Sequence, residues 1–164
     1  MSTFQTYFTQ ESQKTVISDK LTCLLATTRT SVAVVEHGGC TNLISGLMGI
    51  HKDSVRGGMV CNTDASLVQM LGIPTNLIVD GTKMKARSLL MAQRIRTILN
   101  TDLGYASTRI SDEDVVDVHI GISSRYYQRS KRFRFRLENG DIEEHDSYFA
   151  PLYFFLLTNI KEEH

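Results

Sequence analysis

The sequence predicts an α/β fold in one domain of 164 residues. Three observations support this prediction. Apolar strand patterns alternate with helical patterns early in the chain, which favours parallel pairing with helices on both faces of a sheet. Two later strand patterns follow each other through a short connection, which favours an antiparallel pair. No repeat, low-complexity run or linker interrupts the chain, so we expect a single domain over residues 1–164, with residues 1–29 as a helical segment packed on it.

The first half of the chain contains five predicted elements. They are a helix over residues 11–27, a strand over 32–35, a helix over 40–48, a strand over 57–62 and a short helix over 65–71. The first helix is amphipathic because its apolar residues recur at helical spacing. The first strand is a continuous apolar run, typical of a strand covered on both faces. Gly72 and Pro74 end the short helix.

The second half predicts one long helix, three strands and a final helix. The long helix covers residues 82–99, the strands cover 103–108, 115–123 and 131–137, and the last helix is capped by Asp146 or Ser147. Turns are predicted at residues 80–81 and 139–140. One face of the long helix carries Met84, Ser88, Met91, Ile95 and Ile98, whereas Lys83, Arg87 and Arg94 fall elsewhere. The apolar run over 149–160 is shorter than the ~18 residues that span a bilayer, so we expect a core helix.

Composition excludes several classes of protein. Eighteen basic residues balance 18 acidic ones, so net charge predicts no general attraction to nucleic acid or to an anionic membrane. The three cysteines form no CxxC pair, which argues against a disulfide framework or a structural zinc site. No charged-then-apolar leader is present at the start. These features predict a cytoplasmic location.

The clearest candidate site follows the first strand. In open α/β sheets, ligands bind at the carboxyl ends of strands, and the N–H groups that open the next helix attract anions. The residues at this junction are Glu36, His37, Gly38, Gly39, Cys40 and Thr41. A plain strand-to-helix turn with a helix cap is the alternative interpretation.

Other reactive residues give weaker signals. The spacing of His37, Cys40, His51 and Cys61 matches no standard zinc pattern, so we predict neither a metal site nor a cofactor. Cys40 and Ser54 are candidate nucleophiles, but each needs a neighbouring base or a lowered pKa.

The segment RYYQRSKRFRFR, residues 125–136, is basic and aromatic, which suggests nucleic-acid binding. Its phenylalanines alternate with arginines, however, as in a half-buried strand whose rings point inward and whose guanidinium groups lie in water. We therefore expect no nucleic-acid site here. A basic edge that contacts an acidic partner or another subunit is the preferred interpretation.

Several segments together resemble the C-terminal domain of the CinA family, the nicotinamide mononucleotide deamidases. The resemblance runs from about residue 30 to the end. It rests on VRGGMVCNTDASLVQMLGIP at residues 55–74, MAQRIRTILNTDLGYAST at 91–108 and VDVHIGIS at 116–123. It implies a three-layer α/β/α sandwich with a mixed, mostly parallel sheet of about five strands.

The resemblance also implies an activity. Active members hydrolyse the carboxamide of nicotinamide mononucleotide and release ammonia. They are similar to Ser/Lys amidohydrolases, in which a serine attacks, a lysine takes its proton, and loop amides hold the phosphate. Members are commonly oligomeric, so the resemblance implies a homo-oligomer.

The family's functional positions carry over to this sequence only in part. The implied site residues are Glu36, Cys40 and Thr41 in the first loop, Ser54 as the nucleophile, Gly57 at the start of the second strand, Asn62 where a tyrosine is usual, and Thr108 at the later loop. Leu67 stands where the resemblance expects the catalytic lysine, and a leucine accepts no proton. The later loop corresponds to residues 107–118, which are acidic and contain no glycine.

These departures leave three hypotheses. In the first, an eroded deamidase site binds a nicotinamide-nucleotide-like ligand or a protein partner with little or no hydrolysis. In the second, the chain is an active amidohydrolase in which Lys52, His37 or His51 replaces the missing base of Ser54. In the third, it is a non-catalytic scaffold or interaction protein. A serine without a base is a poor nucleophile, and general-base help is worth ~10²–10⁴-fold, which favours the first hypothesis.

Overall fold

A computed structural model describes residues 19–38, 53–136 and 158–160. Residues 19–28 are helical and are called α1, and residues 158–160 are also helical. Between them lie β1 (Val32–His37), β2 (Val55–Cys61), α2 (Asp64–Leu71), α3 (Thr75–Ile78), a 3-10 turn (Gly81–Lys83), α4 (Met84–Leu99), β3 (Leu103–Asp112), β4 (Val115–Ser123) and β5 (Gln128–Arg136). Every strand and helix predicted within this part of the chain is present. The helix predicted over 40–48, the turn at 139–140 and the capping residues Asp146 and Ser147 lie outside the described residues.

The five strands form one mixed sheet in the order β2-β1-β3-β4-β5. Strand β1 pairs in parallel with both β2 and β3. The pairs β3–β4 and β4–β5 are antiparallel, so β4 alone runs against the other four strands. The predicted mixed, mostly parallel sheet is therefore confirmed, as is the antiparallel pairing of the late strands.

Apolar side chains cover the sheet on both faces. Alternate residues of β1 point to opposite sides. Val32 and Val34 join a cluster that includes Leu21 and Leu25 of α1, while Ala33 and Val35 join a second cluster with residues of α2 and α4. The sheet thus lies between two helical layers, which confirms the α/β/α sandwich. Among the described residues, no helix is both long and apolar enough to cross a membrane.

Two glycines let α4 approach the sheet closely. A Cβ atom on Gly104 of β3 would lie 1.8 Å from the carbonyl oxygen of Ala92, and one on Gly121 of β4 would lie 2.3 Å from that of Ser88. Both distances are far below a van der Waals contact. The backbone of α4 therefore rests directly on β3 and β4, and this contact fixes the helix over the centre of the sheet.

The exposure of two residues in α4 differs from the prediction. Arg87, expected away from the apolar face, is 3% exposed. Its guanidinium Nε donates to the carbonyl oxygen of Leu77 at 2.9 Å, and its Nη2 donates to that of Ile78. These two carbonyls belong to α3, so the buried cation satisfies the end of a neighbouring helix. Ile98, expected on the buried face, is half exposed.

The long loop that the resemblance implies over residues 107–118 is not present. Strand β3 continues to Asp112, residues 113–114 form a tight turn, and β4 begins at Val115. Ladder pairing continues out to Asp112 and Val115. Asp112, Glu113 and Asp114 therefore lie at the tip of a hairpin, where they are exposed.

The basic strand β5 forms a charge network with β4. Arg132 and Arg134 each donate two hydrogen bonds to the carboxylate of Asp117, at 2.6–3.0 Å. These bonds hold the pKa of Asp117 well below its usual range, with Arg134 the larger contributor. Phe133 is partly buried against the cluster that contains α1. Because a carboxylate already neutralises part of this arginine charge, β5 offers less attraction to a phosphate backbone than its composition suggests.

Candidate functional site

The carboxyl end of β1 brings several polar side chains together on the α2–α4 face of the sheet. His37 is the last residue of β1, and it pairs in register with Cys61 on β2 and Thr108 on β3. Thr108 pairs in turn with His119 on β4. Residues in register share a face, so these four side chains form a row across the end of the sheet. Glu36, the preceding residue, points to the opposite face and is completely buried.

His37 makes two polar contacts, one at each ring nitrogen. Its Nδ1 lies 3.0 Å from the hydroxyl oxygen of Thr108, in a buried contact. Its Nε2 lies 3.1 Å from a carboxylate oxygen of Asp64. A carboxylate only accepts hydrogen bonds, so in a neutral imidazole Nε2 carries the proton and donates to Asp64. Nδ1 is then the acceptor, and the Thr108 hydroxyl donates to it.

The start of α2 positions Asp64. Thr63 is the N-cap residue, and its hydroxyl oxygen accepts from the backbone N–H of Ser66, whose own hydroxyl accepts from the backbone N–H of Thr63. This capping box fixes where the helix begins. Asp64 is the first helical residue, where a negative charge is favoured by the helix dipole. Its side chain is 65% exposed, in contrast to the 8% of His37.

Burial lowers the pKa of His37. Asp64 opposes this effect, whereas the positive charge of Arg87 adds to it, and the net direction is downward. His37 is therefore a neutral imidazole at neutral pH. An unfolded histidine has a pKa near ~6.5, so below that pH it binds more protons than the buried His37 does. The free energy of unfolding therefore decreases as the pH falls below ~6.5.

Replacing Asp64 by asparagine is expected to lower the pKa of His37 further, because the variant removes the carboxylate that favours the imidazolium. An NMR titration of the histidine ring signals would measure the change. Asp80→Asn is the matched control, because Asp80 is an exposed carboxylate that is bonded to Thr82 on another turn. This variant should leave the pKa of His37 unchanged. An unchanged or raised His37 pKa in Asp64→Asn would show that the two side chains do not interact in solution.

The structure separates the predicted site residues into two groups. Ser54 is buried at the start of β2, and its carbonyl oxygen accepts from the N–H of Val32, the first residue of β1. Gly57 pairs with Ala33, also near the amino ends. His37 lies five residues beyond Val32, or about 16 Å along an extended strand. Ser54 and Gly57 therefore do not share a site with His37, and His37 is not placed to act as the base of Ser54.

The remaining predicted residues fall at the carboxyl end or outside the described chain. Gly38 follows His37 with a φ of 85°, and a Cβ there would lie 2.6 Å from the carbonyl oxygen of Arg109. Asn62 is exposed immediately after β2. Gly39, Cys40, Thr41 and Lys52, together with His51, lie outside the described residues, so their roles stay predictions. In the described part of the chain, no three His, Cys, Asp or Glu side chains converge as they would to hold a metal ion.

Leu67, at the position where the resemblance expects a lysine, is completely buried. It packs in the second apolar cluster with Val35, Leu71 and Ile73. Its surroundings are therefore those of a core residue.

Sequence reasoning missed Asp64, Arg87 and His119. Asp64 had a usable signal, because an acidic residue after a capping threonine opens the helix that follows β2, beside the end of β1. Arg87 had none, since its bonds are to backbone carbonyls. His119 alternates with apolar residues in β4, and its position beside Thr108 depends on the strand order.

Comparisons with known proteins agree with this architecture. No family model matches the chain. A putative competence-damage inducible protein of Geobacillus kaustophilus is 32% identical over 78 residues, which are 43% of this chain and 19% of that protein. A protein of the same description from a second Geobacillus strain is 30% identical over 77 residues, which are 43% of this chain and 18% of that protein. The chain is CinA-like.

Solved structures support the same relationship at the level of the fold. A CinA-superfamily protein from Klebsiella pneumoniae superposes with a TM-score of 0.75 at 17% identity, over 91% of this chain and 98% of that one. A CinA-superfamily protein from Enterobacter cloacae gives 0.73 at 17% identity, over 88% and 90%. The CinA-like chain therefore has the fold of this superfamily. The segment it shares with the curated Geobacillus relatives spans about a fifth of their length.

Proposed function

We propose that this CinA-like domain binds a nicotinamide-nucleotide-like ligand at the carboxyl ends of β1, β2 and β3, with little or no hydrolysis of the carboxamide. The observation that carries the proposal is the complete burial of Leu67 in an apolar cluster. The resemblance expects a proton-accepting amine at this position, and a leucine supplies none. A protein partner is the alternative to that ligand, and the proposal also includes assembly into a homo-oligomer and a cytoplasmic location.

The position of Ser54 supports the loss of hydrolysis. A serine hydroxyl needs a base within hydrogen-bond reach to become a useful nucleophile. His37, one of the replacement bases considered, lies at the other end of the parallel strands, about 16 Å along β1 from Val32, to which Ser54 is hydrogen-bonded. General-base help is worth ~10²–10⁴-fold in rate, and neither Leu67 nor His37 supplies it to Ser54.

Ligand binding at the carboxyl edge is supported by the polar row there. His37 and Thr108 are buried at this edge, where their imidazole and hydroxyl lie near the buried positive charge of Arg87, which acts on the ring of His37. Open α/β sheets bind ligands at this edge. The same groups suit the polar and anionic parts of a mononucleotide.

Isothermal titration calorimetry would test the proposed binding. We expect heat with at least one of nicotinamide mononucleotide, nicotinate mononucleotide and ADP-ribose, and a loss of affinity of at least tenfold in Thr108→Val. Thr101→Val is the matched control, because Thr101 is another buried threonine, placed before the amino end of β3. No heat with any of the three ligands would contradict the proposal and favour the scaffold hypothesis.

A further inference from the structure

We propose that Asp64, His37 and Thr108 form an acid–base relay that makes the Thr108 hydroxyl a nucleophile toward activated acyl groups. This activity uses His37 and Thr108, which also lie at the proposed nucleotide site, but it requires no bound nucleotide and does not involve Ser54. The relay is assigned from the contacts among three side chains that α2, β1 and β3 bring together at one end of the sheet.

The geometry matches the requirements of an activated hydroxyl. The Thr108 oxygen lies 3.0 Å from Nδ1 of His37, and Nε2 lies 3.1 Å from the Asp64 carboxylate. A nucleophile within hydrogen-bond reach of a base, and a third group that orients the base, is the arrangement that activates serine and threonine hydroxyls. Here the two ring nitrogens exchange roles relative to the serine-protease template, because the acid binds Nε2 and the hydroxyl binds Nδ1.

The protonation state of the trio is also suitable. The carboxylate of Asp64 keeps the proton of the neutral ring on Nε2, which leaves the Nδ1 lone pair facing the hydroxyl. The lowered pKa of His37 keeps that lone pair free at neutral pH. When the ring takes the proton of Thr108, the adjacent carboxylate stabilises the imidazolium.

The trio lies where the interior of the sheet meets solvent. Residues 103–108 of β3 are buried, Arg109 is half-buried, and residues 110–112 are exposed. Thr108 is therefore the last buried residue of its strand, and His37 is the last residue of β1. Asp64, at the outer end of the relay, is exposed at the surface. Thr108 itself is completely buried, so a small acyl donor reaches the hydroxyl from this end only when the side chains around it shift.

The reaction proceeds in two balanced steps. In the first, the Thr108 oxygen bonds to the acyl carbon and its proton passes to Nδ1 of His37. The bond from the acyl carbon to the leaving group breaks, and Nδ1 gives that proton to the leaving group, which restores the neutral ring. In the second, water attacks the acyl-threonine ester and gives a proton to Nδ1, the ester bond breaks, and the proton returns to the Thr108 oxygen. The net change is hydrolysis of the acyl donor to an acid and the free leaving group.

p-Nitrophenyl acetate is a suitable small probe. We expect release of p-nitrophenolate above the buffer rate and a single acetyl group on Thr108, located by peptide mass spectrometry. Thr108→Val should abolish both signals, and His37→Gln should reduce the enzymatic rate by ~10²-fold or more, within the range of general-base effects. Thr101→Val, the matched buried threonine, should behave as the unchanged protein.

Thr108→Ser retains the hydroxyl and should still be acetylated at position 108. This variant provides the test if Thr108→Val fails to fold. No acetyl group on Thr108 of the unchanged protein, or no release above the buffer rate, would overturn the relay. Because the probe is not a nucleotide, either result leaves the calorimetric test of nucleotide binding standing on its own.

Discussion

Gly104→Ala is expected to destabilise the fold by about 3 kcal/mol or more, in the upper range of overpacking effects. The added methyl group would lie 1.8 Å from the carbonyl oxygen of Ala92 and 2.7 Å from Cβ of Arg96. The first of these neighbours is backbone, so no rotamer change relieves the clash and α4 must move away from β3. Domains of this size are stable by roughly 5–15 kcal/mol, so the loss is a large fraction of the total. Urea unfolding followed by circular dichroism would measure it.

Gly81→Ala is the matched control for this effect. A Cβ at Gly81 would meet only the Cδ1 atom of Ile110, at an ordinary contact distance of 3.8 Å. We expect a change within about 0.5 kcal/mol, as for surface substitutions in general. If Gly104→Ala unfolds at the same urea concentration as Gly81→Ala, then α4 does not rest on β3 as described.

Leu67→Lys is expected to cost several kcal/mol of stability, although it restores the residue that the CinA resemblance expects. Leu67 is completely buried among apolar side chains. A lysine there would have to give up its proton or unfold its surroundings, since burial lowers a lysine pKa by up to ~3–5 units. Its unfolded pKa is near ~10.4, so part of the lost stability should return as the pH rises toward that value. Urea midpoints between pH 7 and pH 10 would show this trend.

Leu67→Met provides the volume-matched comparison. A flexible apolar side chain of similar size should cost less than about 1.5 kcal/mol, with no pH dependence of its own. A Leu67→Lys variant as stable as Leu67→Met at pH 7 would mean that position 67 has room and polar surroundings for an ammonium group. The proposal of an eroded site would then lose its main support.

Local sequence patterns were sufficient to predict most of the fold. The continuous run from Val32 to Val35 predicted a strand covered on both faces, and both apolar clusters confirm it. Gly72 ends α2 in the left-handed conformation, as expected of a glycine after a helix. The hairpin joining β3 and β4 was missed because its turn consists of acidic residues without glycine, which resembles a solvated loop.

The candidate site was less predictable because it depends on strand order. His37 and Thr108 are 71 residues apart, and they meet only because β1 and β3 are neighbours in register. Periodicity places each residue on a strand but does not give the order of strands in the sheet. It also gave no indication that Ser54 and His37 lie at opposite ends of the parallel strands. The burial of Arg87 was unpredictable for a related reason, since backbone carbonyls of α3 are its hydrogen-bond partners.

Ammonia release from nicotinamide mononucleotide by the purified protein tests the central claim most directly. The buried Leu67 supplies no base for Ser54, so we predict release no faster than the buffer control under conditions where calorimetry shows the ligand to be bound. Measurable turnover that disappears in Ser54→Ala would contradict this account. That result would show that another group, such as Lys52, serves as the base.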